Sequence, residues 1–464
     1  MKTIPMKHQT DVFNKIKNKN FFALFMEYGT GKSYCALQWI EHNWLRLQKG
    51  VLIVGKKMNI QEGNAWPTEI KTHTNMTYTI LNGSWQNKLD KLLQYPRSDI
   101  YLINYESIPS MLKWLQDFSF KAIIFDESTQ IKNIKAIRTK RALKLAEGIP
   151  HRAILTGFPV SEHLDEIWSQ YYAIDFGTAL TDNYWKFLHT YFKHWRFGWS
   201  LKKGADKTII DKVKKNSLFM KLRDCVDLPP RIYKYIALEP TKEQKKYMTE
   251  LKEEFAITIG ESKTIEYKHV LPTIEKSLQI CSGFMYLDKD LENNGAIRHF
   301  STPKTECIKN LIEEIPNKKI IWCRYVAEVE MLSELLKHNY VLMISSKNFE
   351  AANLANLNKF KTDKKYNTLI TTYALLESGE TLAMANYSIH YSHIWSNNMT
   401  LNAKHRVYRK GSEIHNKVVY IHLYLKDTVE EVVLKTLQKK KSMQKKLKED
   451  MEQWVNKEWL FVKL

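Results

Sequence analysis

Short apolar runs of strand length recur in two series along this chain, separated within each series by stretches of helical spacing. The first series is FFALFM (21–26), GVLIVG (50–55), DIYLINY (99–105), KAIIFDE (121–127) and HRAILTG (151–157). The second is KKIIWCRY (318–325), YVLMIS (340–345), NTLITTY (367–373), YSIHYSH (387–393) and KVVYIHLY (417–424). Runs that are largely apolar suit strands buried on both faces, and helices between them suit parallel crossovers. The pattern predicts an α/β chain with two parallel-sheet lobes and helical insertions between them. Residues from about 160 to 225 are aromatic-rich at helical spacing and offer no strand candidate. CVDLPPRIYKYIALEP (225–240) gives a Pro-Pro turn and then an alternating strand. A second helical stretch follows, from about 240 to 290. The expected division is therefore 1–228, with a helical insertion at about 160–225, and 229–464, ending in a basic helix from Thr428.

The segment FALFMEYGTGKSYCALQWI (22–40) runs from a strand through a tight turn into a helix. Gly29, Thr30 and Gly31 would aim backbone N–H groups inward, and the helix start adds a favourable dipole for phosphate. Lys32 would reach the β- and γ-phosphates of a nucleotide, and Ser33 would hold Mg²⁺. The plain alternative is a glycine-rich turn with an unrelated Lys-Ser, since Met26 stands where the full pattern has glycine. At the end of KAIIFDEST, Asp126 would coordinate Mg²⁺ and Glu127 would polarise the attacking water. An acidic pair capping a helix is the alternative there. Arg406 and Arg409 in NAKHRVYRKGS are spaced i, i+3, so one helical face would present both to a developing phosphate charge. The alternative is an ordinary basic patch.

The chain has 71 Lys and Arg against 50 Asp and Glu, a net charge of +21. Such an excess favours a polyanionic partner, nucleic acid foremost. Five scattered cysteines and fifteen histidines show no metal-ligand or redox spacing. His390 and His393 read as core residues. The start MKTIPMKHQ lacks a signal-peptide core, and no apolar run reaches membrane-spanning length. A soluble cytoplasmic protein with free thiols is expected, without a membrane partner.

Taken in order, these segments resemble the motor ATPases of helicase superfamily 2, and within them the Snf-type branch, over roughly residues 4–435. IPMKHQ resembles the adenine-reading motif, which places Gln9 on the base. EYGTGKS resembles the family's phosphate loop, which also lacks the first glycine. VLIVGKKMNIQEGNAWPTEI resembles motif Ia, with the Trp66 and Glu69 typical of the branch, and LINYESI resembles the segment of motif Ib. DESTQIKN resembles the Asp-Glu-Ala-His box, with Ser128 and Thr129 in place of Ala-His. LTGFPVSEHLDEIWS resembles motif III, and CVDLPPRIYKYIALEPTKEQKKYM the junction between lobes. STPKTECI and KKIIWCRY resemble the entry to the second lobe. TTYALLESGETL resembles motif V without its usual glycine pair. IWSNNMTLNAKHRVYRKGS resembles the Trp-Asn-Pro turn and motif VI, beginning on Asn402.

The resemblance implies two RecA-like lobes with ATP and Mg²⁺ in the cleft between them. Gln9, the 29–33 loop and Gly379 would bind nucleotide, and Arg406 and Arg409 would act from lobe two. Thr129, Thr156 and Gly157 would couple nucleotide state to motion. Lys56, Lys132, Asn133, Thr372 and Trp395 would contact nucleic acid. The expected function is an ATP-driven double-stranded DNA translocase acting as a monomer, with an unidentified protein partner left open. A strand-separating DNA or RNA helicase and a non-catalytic, ATP-gated scaffold are the alternatives. The compact, divergent form suggests a phage, viral or mobile-element motor.

Overall fold

The computed structural model describes residues 1–47, 50–160, 163–195, 198–261, 267–287, 296–336, 341–344, 350–375 and 381–438. They form two compact units, one spanning Met1–Asp227 and one beginning at Leu228.

In the first unit the strands are β1 (Phe21–Met26), β2 (Val51–Gly55), β3 (Tyr78–Ile80), β4 (Ile100–Asn104), β5 (Ala122–Asp126) and β6 (His151–Thr156). A hairpin of β7 (Phe192–Trp195) and β8 (Gly198–Leu201) precedes β9 (Ser217–Met220). Seven of these make one sheet in the order β3-β4-β2-β5-β6-β1-β9, parallel throughout. Side chains alternate across it, as a period of two requires. Phe22, Leu24 and Met26 of β1 join one buried cluster with Val51, Ile53 and Trp39. Ala23 and Phe25 join the opposite cluster with Leu52, Val54 and Phe125. Burying each Phe or Leu contributes about 1.5–3 kcal/mol, so strands apolar on both faces are held from both sides.

The insertion differs from the sequence expectation. Helices do form at Glu166–Asp175, Tyr184–Tyr191 and Ala205–Lys214, but the β7–β8 hairpin lies between the second and third, and β9 follows the third. Only four residues long and placed just after a Lys-rich helix, SLFM reads locally as that helix's tail. It becomes a strand by pairing with β1, Ala23 opposite Ser217 through Met26 opposite Met220. Tertiary pairing overrides the local pattern here.

In the second unit β10 (Arg231–Leu238) is the alternating strand after the Pro-Pro turn. Helices Lys242–Glu261 and Tyr267–Ser282 follow, then a hairpin of β11 (Phe284–Tyr286) and β12 (Ile297–His299) that the sequence did not suggest. The remaining strands are β13 (Lys319–Cys323), β14 (Val341–Ile344), β15 (Thr368–Thr372), β16 (Tyr387–His390) and β17 (Val418–Leu425). With β10 they form a parallel sheet, β10-β17-β16-β13-β15-β14. The chain is helical again from 429 to 438; the Lys-rich remainder of the expected basic helix lies outside the described residues.

Candidate nucleotide site

Open parallel sheets present their functional residues at the carboxyl ends of the strands. In the first unit β5, β6 and β1 are neighbours, so the residues after Asp126, Thr156 and Met26 emerge side by side. Beyond Met26 the chain turns through Gly29 and Gly31, both at φ 83°. Gly31 is also the residue before helix α2 (Lys32–His42), the second helix to frame the loop after α1 (Lys7–Ile16). A Cβ on Gly31 would lie 2.2 Å from Gln9 Nε2, so the loop and the Gln9 side chain are packed against each other. Gln9 Oε1 in turn accepts from the Met6 amide at 2.9 Å. The loop is braced further by Thr30 Oγ1, which donates to Glu27 O at 2.7 Å. A His8 ring nitrogen lies 2.9 Å from Thr30 O.

Lys32 is buried, with Nζ donating to Met26 O at 2.9 Å and lying 4.7 Å from the centre of the Tyr28 ring. The Tyr28 hydroxyl donates to Glu127 Oε2 at 3.1 Å. Tyr28 also packs on Gly157, where a Cβ would meet Tyr28 Cε2 at 3.1 Å. One tyrosine thus touches the lysine, the glutamate and the loop after β6.

Asp126 and Glu127 are both buried. Trp66 Nε1 and Asn59 Nδ2 donate to Asp126 Oδ2 at 2.9 and 3.3 Å, and the Tyr105 hydroxyl donates to Asp126 O at 2.7 Å. Glu127 sits at φ 52°, ψ 56°, a left-handed conformation that costs a non-glycine residue about 1–3 kcal/mol and gathers at functional sites. Burial pushes its carboxyl group above the ordinary glutamate range. Lys32 opposes that most strongly, Asp126 reinforces it, and Lys56 and the Tyr28 hydroxyl oppose it. A carboxyl raised in this way is a better proton acceptor than an ordinary glutamate.

The hydroxyl of Ser33, in the first turn of α2, and the carboxylate of Asp126 are hard oxygen donors of the kind Mg²⁺ takes. The two side-chain donors on Asp126 both go to Oδ2, which orients the group. Among the described residues no group of three or more His, Cys, Asp and Glu could hold a metal ion by itself. This donor set fits a cation that arrives with phosphate oxygens. Burial pushes the Cys35 and Cys281 thiols up to about 12.

Thr156 ends β6 and is buried, and Thr129 is half-buried in the turn after Glu127. The hydroxyl that reaches out of this turn to a neighbouring helix is that of Ser128, which donates to Gln170 Oε1 at 2.8 Å. Among the residues expected at nucleic acid, Lys56 precedes the short helix Lys57–Ile60 and is close enough to influence Glu127. Lys132 pairs with Glu166 at 2.8 Å, and Asn133 is exposed with its Oδ1 accepting from the Lys135 amide.

In the second unit Thr372 is buried at the end of β15, and Trp395 packs against Leu278, Val433 and Leu437. Helix Asn397–Val407 carries Arg406, which is buried. The expectation that one helical face presents both arginines is corrected. The helix closes at Val407, Tyr408 leaves it at φ −110°, ψ 85°, and Arg409 stands in the turn that follows. That turn tightens through Ser412 N donating to Arg409 O at 2.9 Å, with Gly411 at φ 101°. The glycine's left-handed conformation, not the i, i+3 spacing, decides the local path. Gly379 lies outside the described residues.

Sequence reading missed Tyr28 as a site residue and Gln170 as the partner of Ser128, and gave Trp66 no role. Tyr28 stood next to the glycines and could have been suspected; Gln170 carries no local signal. Among the described residues no helix is long and apolar enough to cross a membrane.

Residues 6–287 match the SNF2-related domain, and residues 303–411 match the helicase conserved C-terminal domain. A protein of Acyrthosiphon pisum secondary endosymbiont phage 1 is 25% identical over 97% of this chain and 99% of its own length. An uncharacterised ATP-dependent helicase of Mycoplasma genitalium is 24% identical over 82% of this chain and 36% of its own. The chain thus spans nearly all of the phage relative but well under half of the cellular one. The solved SWI2/SNF2 ATPase core of Sulfolobus solfataricus in complex with dsDNA is 19% identical, covering 97% of this chain and 94% of that one at a TM-score of 0.47. With the SNF2-related model matching more than half of its length, the chain belongs to the SNF2-related family and is a helicase-like ATP hydrolase.

Proposed function

We propose that this chain is a motor that moves along double-stranded DNA at the expense of ATP. The observation that carries the nucleotide chemistry is the Tyr28 bridge, which brings the loop lysine and Glu127 to one place beside Asp126. In this reading the 29–33 loop receives the phosphates, Gln9 lies by the adenine, and Ser33 and Asp126 hold Mg²⁺. The cation, when bound, screens phosphate charge and orients the terminal phosphoryl group. Lys32 leaves the Met26 carbonyl for phosphate oxygens, and Glu127 takes the proton of the attacking water. Arg406 and Arg409 of the second unit neutralise the charge that develops on transfer.

The DNA part rests on the +21 net charge and on the motifs' resemblance to the Snf branch. Lys56, Lys132, Asn133, Thr372 and Trp395 are its candidate contacts. Lys132 would exchange Glu166 for a backbone phosphate, and Thr372 and Trp395 would need a change of surroundings to engage.

The test is ATP turnover with double-stranded DNA, single-stranded DNA and RNA as effectors, beside triplex displacement and forked-duplex unwinding. Expected are stimulation by duplex DNA and triplex displacement without unwinding, all lost in Lys32→Ala and Glu127→Gln, with Glu127→Gln still binding ATP. DNA affinity should fall on the order of 10³-fold between low and moderate salt if about six or more phosphates are engaged. Stimulation by RNA alone would overturn the DNA reading. Efficient unwinding would move it to a strand-separating helicase.

A further inference from the structure

The turn after Glu127 is tied to helix Glu166–Asp175 at three successive points. Lys132 Nζ pairs with Glu166, Ser169 Oγ donates to Ile131 O at 2.7 Å, and Ser128 Oγ donates to Gln170 Oε1 at 2.8 Å. The last of these continues beyond the helix. Gln170 Nε2 donates to Pro159 O at 2.6 Å, in the loop after β6, and to Glu166 O at 2.9 Å. Ser128 and Gln170 are fully buried. Their amide and hydroxyl therefore have no water to exchange with, and a broken link leaves a buried polar group unsatisfied. Such a closed relay holds its two ends in register: when one shifts, the other follows or a hydrogen bond is lost.

The two ends are functionally distinct. One is the residue after the strained Glu127; the other is the 157–160 loop, which also feels Tyr28 through Gly157. We propose that Gln170 is a positioning residue that transmits the state of the Glu127 turn to the 157–160 loop, with Ser128 as its input and the Pro159 carbonyl as its output. Gln170 touches no reacting atom. Its chemistry suits the task because one planar amide accepts on one edge and donates on the other, which no alkyl or thioether side chain of similar length can do. The inference rests on the proposed ATP-driven motor function.

The experiment compares wild type, Gln170→Leu, Gln170→Met, Ser128→Ala and the Ser128→Ala/Gln170→Leu pair. Two readouts are taken on each: the ratio of duplex-DNA-stimulated to DNA-free turnover, and amide hydrogen exchange at Phe158 and Val160 with and without ADP–beryllium fluoride. Gln170→Met keeps the length of the side chain but has no donor for Pro159, so it should uncouple as fully as Gln170→Leu. Expected is a roughly tenfold smaller stimulation ratio in both, with DNA-free turnover within about twofold of wild type. The nucleotide-dependent change in exchange at 158 and 160 should be lost. The pair should be no worse than Gln170→Leu alone, as for two members of one relay. A proportional fall of both turnover rates, an unchanged exchange response, or additive effects in the pair would overturn the proposal. If wild type binds nucleotide and shows the exchange change but no stimulation by DNA, the DNA reading fails while the relay stands. If wild type does not bind nucleotide, both fail.

Discussion

The Tyr28 hydroxyl donates to Glu127 Oε2 across 99 residues of chain, so the phosphate loop and the strand-end acid are hydrogen-bonded to each other. Burial raises the Glu127 carboxyl, and this bond is one of the influences that lower it. Tyr28→Phe keeps the ring against Lys32 and Gly157 but removes the donor. The carboxyl should then titrate at still higher pH, and a base must be deprotonated to work. The acid limb of the kcat–pH profile should move to higher pH, and kcat on that limb should fall about tenfold, from the loss of about 1.5–3 kcal/mol at a charged acceptor. ATP affinity should hold. Steady-state turnover from pH 5.5 to 9 with ATP binding at each end checks it; an unmoved limb sinks the base assignment.

Arg406 and Arg409 should separate in their phenotypes now that they occupy different surroundings. Arg406 is buried on its helix, so Arg406→Ala should lower stability as well as kcat. Arg409 lies in the turn beyond, so Arg409→Ala should lower kcat by roughly 10³-fold with ATP affinity and melting temperature nearly unchanged, if it acts as a finger. Arg409→Lys should restore little, since an ammonium lacks the planar fork. An unchanged kcat at saturating DNA would leave Arg409 a surface charge.

The second unit holds a buried ion pair between Lys304 and Glu430, neither with more than 1% of its side chain exposed. Lys304 Nζ also donates to Tyr391 O at 3.0 Å, and Glu430 Oε2 accepts from the Leu425 amide at 3.1 Å. Burial is the main influence on Glu430 and raises its carboxyl; Lys304 is the main opposition. Lys304→Met should destabilise by about 3–5 kcal/mol, because it strands the carboxylate. Adding Glu430→Gln should recover part of that loss. Denaturant unfolding of the single and double variants measures both, and equal stabilities would refute the dependence.

Three histidines stack in the same unit. The rings of His390 and His422 are 4.3 Å apart, and a nitrogen of His393 lies 3.0 Å from one of His422. Burial, then Lys404 and His393, holds His390 well below the ordinary imidazole range. His393 is held at about 3 by burial and then by Lys304 and Lys404. An unfolded histidine binds its proton near pH 6.5, so the unfolded state binds more protons from there down to about pH 3. This contribution to stability is complete above the unfolded value and shrinks as pH falls. The unfolding midpoint of the second unit should drop steadily on acidification below 6.5, and His393→Phe should flatten that slope. An unchanged slope would remove His393 from the account.

The local parts of this architecture were readable in the sequence, and the distant ones were not. The strand from Phe21 to Met26, its glycine turn and the helix from Lys32 declare themselves within twenty residues, because each step follows from neighbouring side chains. Asp126 and Glu127 were legible as an acidic pair at a strand end. The left-handed backbone of Glu127 was not, since it is imposed by the surrounding packing. Arg409 was misplaced because a helical period was extended through Tyr408 without weighing Gly411 three positions beyond that tyrosine. Ser128 was noticed only as a departure from a familiar pattern. Its partner lies 42 residues away on a helix whose sequence reads as amphipathic packing.

The pairing of β9 with β1 bears on when the chain becomes competent during synthesis. Glu27 N donates to Met220 O, and Leu222 N donates to Glu27 Oε2, both at 2.9 Å. The residue that opens the phosphate loop is therefore clasped by chain made 195 positions later. A ribosome must deliver the helices and hairpin of the insertion before that clasp can close. Until then β1 is a sheet edge with unpaired backbone groups, the kind of edge that recruits other strands. A nascent chain thus passes through an interval in which the loop sequence is complete but its support is not. The arrival of residues 217–222 ends that interval by capping the edge and fastening the loop in one event.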